Sequence, residues 1–131
     1  MCSSDLVFDV FEREFADAGA WLSHVGFSPA SRDLAERWQG VLCTCEKDIA
    51  VADFQAADRF DGAPLAGKVR APVLVVGGAD DLLTPPAMQH AIGAAISGAQ
   101  VTIVPEAGHF VMLERPDRFF RELEQFLEFT S

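Results

Sequence analysis

Residues 72–76 read Pro-Val-Leu-Val-Val and run straight into Gly77-Gly78. A continuous apolar, mostly β-branched run between proline and glycine has no polar face, the mark of a strand buried on both sides. Such a strand needs helices above and below it and a neighbour on each edge. A second run, Gln100-Val101-Thr102-Ile103-Val104, follows a stretch of helical period, and Pro116 opens another such stretch. Strand, helix, strand, helix predicts two parallel strands joined by a right-handed crossover. One crossover cannot cover and pair both strands, so the chain is expected to be part of a larger domain.

The first of these helices is expected to start with Thr84 as N-cap and Pro85 and Pro86 in the first turn. Met88, Ala91, Ile92, Ala95 and Ile96 should face inward, with Gly98 ending the helix. The last helix carries Phe119, Leu123, Phe126 and Leu127 as its stripe. Ahead of the Gly/Pro-rich junction at 61–68 the pattern is helical throughout. Val7, Phe8, Phe11 and Phe15 share one side of a short helix. Leu34, Trp38, Val41, Leu42 and Cys45 form the stripe of a helix over 29–45, and a further helix should turn Ile49, Ala52, Ala56 and Phe60 inward. The chain thus divides into a helical part, 1–62, and a βαβα part, 63–131. Within the first, Cys2-Ser3-Ser4-Asp5-Leu6 after Met1 matches one translated frame of a common sequencing adapter, and residues 1–6 are expected to be non-native.

Ten Lys and Arg face 20 Asp and Glu, a net charge of -10. That balance lacks the basic stripe that neutralises phosphates, so no nucleic-acid partner is expected. The longest apolar run, Ala71 to Ala79, is too short to cross a bilayer, which predicts a protein with no membrane association. Cys2, Cys43 and Cys45 are odd in number and include a pair too close for an ordinary bridge. Free thiols in a reducing, cytoplasmic setting follow as the expectation, consistent with an N-terminus that lacks signal-peptide features. His24, His90 and His109 share no zinc-ligand spacing with these cysteines, so neither metal nor cofactor is expected.

In an open parallel sheet, ligands sit beyond the carboxyl ends of the strands. Gly78-Ala79-Asp80-Asp81 directly follows the first strand, and Gly108-His109 sits in the loop after the second. Adjacent strands would bring a carboxylate of the first loop to the imidazole of the second, an acid orienting a general base. Asp80 and Asp81 are equally eligible by position.

Residues 69–131 resemble the C-terminal part of an α/β-hydrolase. An apolar strand leads into Gly78-Ala79-Asp80-Asp81-Leu82-Leu83-Thr84-Pro85, and a second into Gly108-His109-Phe110-Val111-Met112-Leu113-Glu114-Arg115-Pro116. The resemblance implies a partial α/β-hydrolase fold, a helical cap segment followed by a βαβα unit with two parallel strands. It also implies Asp81 as the catalytic acid and His109 as the base. Phe110 and Met112, beside the base, are candidates to line an apolar substrate pocket. Glu114 is expected to be structural, favoured near the start of the last helix by its dipole.

The nucleophile is the open question. Gly26-Phe27-Ser28-Pro29-Ala30 is the only G-x-S stretch, but Pro29 has no N–H to serve as an oxyanion donor and no strand precedes Gly26. Ser28 reads better as an N-cap with Pro29 at the first helical position. The expectation is therefore a C-terminal fragment of a hydrolase acting on a small ester, lactone or similar acyl substrate, with no nucleophile of its own. It would need the missing N-terminal half of its fold, and alone would be inactive. Two alternatives stand beside it: a parent with an Asp nucleophile, as in dehalogenases and epoxide hydrolases, and a non-catalytic half-domain acting through a partner.

Overall fold

The computed structural model describes residues 15–42, 44 and 46–130. The expectations for residues 1–6, for the stripe of Val7, Phe8 and Phe11, and for Cys2, Cys43 and Cys45 lie outside those residues. The order is α1 (Phe15–Gly26), a 3-10 turn (Pro29–Ser31), α2 (Arg32–Leu42), α3 (Lys47–Arg59), the short α4 (Ala63–Ala66), β1 (Leu74–Gly78), α5 (Pro86–Ala95), β2 (Gln100–Val104), the short α6 (Val111–Glu114) and α7 (Pro116–Thr130).

The strands pair in parallel, in register from Leu74 with Gln100 to Gly78 with Val104. Alternation of side chains along β2 puts α5 and α7 on opposite faces. Val101 lies against α5, where a Cβ on Gly93 would fall 2.2 Å from its Cγ2. Its neighbour Thr102 donates from Oγ1 to Glu122 Oε2 of α7, at 3.1 Å. The best-buried apolar cluster lies on the α7 side, where Val104, Ala107 and Val111 pack with Val76 and Phe119. At the other end of the chain α1 packs on α2. Among the described residues, no helix is long and apolar enough to cross a membrane.

Three sequence expectations about buried faces are corrected. In α5 the buried residue is Gln89, whereas Met88 is 53% and Ile92 48% exposed, with Ala91 and Ala95 also outward. The cause is close approach: Gly93, one turn beyond Gln89, lets the helix sit where a larger side chain would strike Val101. In α3, Ala50 is buried and Val51 and Phe54 half-buried, while Ile49, Ala52, Ala56 and Phe60 face out. Both sides of α3 carry apolar residues, so periodicity alone does not choose between them. In α2 Leu34 and Trp38 are half-buried as expected, but Ala35 is the buried residue and Val41 is exposed.

Two helix starts also differ from or match expectation. Pro85, not Thr84, is the N-cap of α5, with Pro86 at the first helical position, because the Thr84 hydroxyl is engaged elsewhere. Ser28 caps the 3-10 turn as expected: φ is −61° and ψ 146°, and Oγ accepts from Ala30 N at 3.1 Å.

Candidate active site

The loops beyond β1 and β2 are stitched together by continuing the ladder past its last residues. Ala79 N donates to Val104 O and Asp80 N to Ala107 O, each at 2.9 Å. Gly78 makes this approach feasible, since a Cβ there would lie 2.1 Å from the carbonyl oxygens of Ala107 and Gly108. Glu106, at φ 53°, supplies the left-handed turn that brings the second loop back.

Asp81 and His109 meet where the loops touch. His109 Nδ1 lies 3.0 Å from Asp81 Oδ2. The carboxylate is 3% exposed, and its donors satisfy it as a buried charge requires. Oδ1 accepts from Leu83 N and Thr84 N at 2.9 Å each, an Asx turn. Oδ2 accepts from Thr84 Oγ1 at 2.7 Å as well as from the imidazole. An acceptor-only carboxylate against Nδ1 assigns the ring proton to Nδ1 and leaves Nε2 as the acceptor. The imidazole is 38% exposed, so it can meet a group brought to it.

Asp80 turns elsewhere. Its Oδ2 accepts from Ser28 Oγ at 2.6 Å, so the structure separates two carboxylates that position in the sequence leaves equivalent. Ser28 is 1% exposed and its N–H donates to Glu114 Oε2 at 2.8 Å. The other oxygen of Glu114 accepts from Gly108 N, also at 2.8 Å. Glu114 is therefore structural, but as a buried bridge between two backbone donors at the end of α6 and not as a dipole partner of α7. His109 N donates to Gly26 O at 2.7 Å, and Arg115 Nη1 to Ser31 Oγ at 3.1 Å. The segment Gly26–Ser31 thus clamps the loops that carry Asp81 and His109.

Phe110 contributes to this clamp, with its ring centroid 4.8 Å from that of Phe27 and 5.4 Å, edge-on, from that of His109. Met112 is 46% exposed. A cavity of about 180 Å³ opens between α1 and α2, lined by residues that include Ser23, His24, Phe27, Ser28, Arg32 and Glu36, but by neither Phe110 nor Met112. Among the described residues, no group of three or more His, Cys, Asp or Glu is arranged to hold a metal ion.

Thr84, Gln89 and the bridging role of Glu114 escape a reading of the sequence. Thr84 before two prolines looks like a cap, and a glutamine amid small and apolar helix residues carries no sign that it points inward. The only trace is Gly77-Gly78 at the end of an apolar strand, which signals close approach without saying of what.

Helices on both faces of a parallel sheet, with Asp81 and His109 meeting beyond its carboxyl ends, form the arrangement expected of an α/β-hydrolase fold. The chain belongs to that family: the profile described as "Alpha/beta hydrolase family" matches residues 4–122. It is 39% identical over 61 residues, 47% of the chain, to BpoC of Mycobacterium tuberculosis, whose name describes a non-heme bromoperoxidase. It is 32% identical over 88 residues, 66% of the chain, to a pimeloyl-acyl-carrier-protein methyl ester esterase of Neisseria meningitidis. The enol-lactonase of Burkholderia xenovorans superposes with a TM-score of 0.83 over 93% of the chain at 24% identity, a likeness of fold. The matched regions span 23%, 28% and 48% of these three proteins, so the chain covers well under two thirds of each.

Proposed function

We propose that this chain supplies the acid and the base of a hydrolase that cleaves a small ester, lactone or related acyl compound through a covalent intermediate. The observation that carries the reading is the 3.0 Å contact between His109 Nδ1 and the buried Asp81 carboxylate. His109 Nε2 removes the proton of the nucleophile as it attacks the acyl carbon, then returns it to the departing alcohol oxygen. In the second half it activates water in the same way, and Asp81 stabilises the imidazolium formed each time. The esterase and lactonase names among the similar proteins support an acyl substrate.

The nucleophile lies outside these residues in this reading. Ser28 donates its hydroxyl proton to Asp80 and is followed by Pro29, which has no N–H for an oxyanion. Residues 7–62 serve as the cap, and a preceding half of the fold contributes the nucleophile and completes the sheet. Phe110, beside the base, and the exposed Met112 form one apolar wall of the pocket that results.

Turnover of an activated ester tests this. The 131-residue chain should show no His109-dependent hydrolysis, while the polypeptide extended through its upstream reading frame should be active and lose roughly 10⁴-fold or more on His109→Ala. Turnover by the 131-residue chain that disappears with His109→Ala would put the nucleophile within it. Unchanged activity of the extended His109→Ala protein would remove His109 from the mechanism.

A further inference from the structure

Three atoms make a closed triangle at the acid–base contact. Thr84 Oγ1 is 2.7 Å from Asp81 Oδ2, Asp81 Oδ2 is 3.0 Å from His109 Nδ1, and Thr84 Oγ1 is 3.3 Å from the same nitrogen. A hydroxyl has one proton to give and two lone pairs. With its proton on the carboxylate, the Thr84 oxygen turns a lone pair toward Nδ1. The imidazole then faces two acceptors, which favours the form that carries its proton on Nδ1 and leaves Nε2 bare. In the other tautomer, the Nδ1 lone pair would face a carboxylate oxygen.

What holds Thr84 in place comes from α5. Its carbonyl precedes Pro85, and the backbone donors Met88 N and Gln89 N in the first turn of that helix go to Pro85 O instead. The Thr84 carbonyl is taken by Gln89 Nε2 at 2.8 Å, and the same nitrogen lies 3.5 Å from Asp81 Oδ2. Both neighbours are acceptors, so the amide must present its NH₂ end to them. Gln89 is 5% exposed, and its Oε1 is buried without a hydrogen-bond partner. An apolar side chain of the same size would fill this space without leaving an orphaned oxygen. Burial at that disadvantage is accounted for if the donor end has a task. Room for the amide comes from Gly77 in β1, where a Cβ would fall 1.3 Å from Oε1.

We propose that Thr84 is a positioning residue for the acid–base pair, its hydroxyl selecting the His109 tautomer with a bare Nε2, and that Gln89 holds it in that position. The inference rests on the acid–base reading of Asp81 and His109, but concerns a property of the pair that exists without turnover. It can therefore be measured in the 131-residue chain itself.

The test is long-range ¹H–¹⁵N NMR of the ¹⁵N-labelled chain, in which the shifts of the two ring nitrogens of His109 report the tautomer ratio. Thr84→Val should raise the share of the Nε2–H form, changing the ratio roughly two- to tenfold, as loss of one ordinary hydrogen bond would. Thr84→Ser should restore the wild-type ratio, and Gln89→Met should shift it in the same direction as Thr84→Val. Asp81→Asn is the control and should shift it further. An unchanged ratio in Thr84→Val, with Asp81→Asn shifted, overturns the role of Thr84 and leaves the acid–base reading standing. If Asp81→Asn also leaves the ratio unchanged, both fall. Should Thr84→Val fail to give a dispersed backbone spectrum, Thr84→Ala and Gln89→Met replace it, and an unchanged ratio in both overturns the proposal.

Discussion

Replacing Glu114 by glutamine changes neither the size nor the shape of the side chain, yet it should unravel the clamp. Each carboxylate oxygen accepts a different buried backbone N–H at 2.8 Å, from Ser28 and from Gly108. Neither N–H has another acceptor among the described residues. A carboxamide can serve one of them and must turn its NH₂ group toward the other, donor against donor. The variant loses a charge-assisted bond of about 1.5–3 kcal/mol and leaves a buried donor unpaired at about 1–3 kcal/mol, terms that overlap. The net expectation is a loss of about 2–4 kcal/mol. With a slope of about 2 kcal/mol/M in urea, the unfolding midpoint should fall by about 1–2 M. Trp21 and Trp38, half-buried on α1 and α2, make fluorescence a suitable monitor beside far-UV circular dichroism. A midpoint within about 0.3 M of wild type at unchanged slope would refute the bridging role, since a water-filled or remodelled site would then satisfy both donors.

Ser28 should not be labelled by a fluorophosphonate probe, and an adduct on its peptide by mass spectrometry would revive it as a nucleophile. Ser28→Ala should instead cost about 1–3 kcal/mol, through the lost cap and the bond to Asp80. Gly78→Ala should cost about 3 kcal/mol or more, because its Cβ would meet two carbonyl oxygens that cannot rotate away. Gly40→Ala, in α2 with nothing within 4 Å of the new Cβ, should stabilise by about 0.5–1 kcal/mol. Equal effects of the two glycine changes in the same urea titration would contradict the close packing of β1 against the His109 loop.

Much of this architecture is written into local patterns. Val73–Val76 and Val101–Val104 specify parallel strands because runs without a polar face have no other stable home. Ser28-Pro29 specifies a helix start because both residues suit the first turn of a helix and neither suits a nucleophile turn. Asp81 and His109 could be placed at one end of the sheet from chain order alone, since parallel strands put successive loops side by side.

What lay beyond the sequence depends on partners distant along the chain. The inner faces of α3 and α5 depart from their apolar stripes because apolar periodicity assumes that burial follows hydrophobicity. In α5 the inner face is decided by how near the helix approaches β1 and β2: Gly93 fits against Val101 where a larger side chain would strike it, and Gln89, on the same face, is turned inward. The difference between Asp80 and Asp81, neighbours of one residue type, is likewise tertiary: one meets Ser28 from 52 residues away, the other His109 from 28. Residue type and spacing determine which groups are available and roughly which end of the sheet they reach. Which oxygen faces which donor is a matter of ångströms, and only the packed chain decides it.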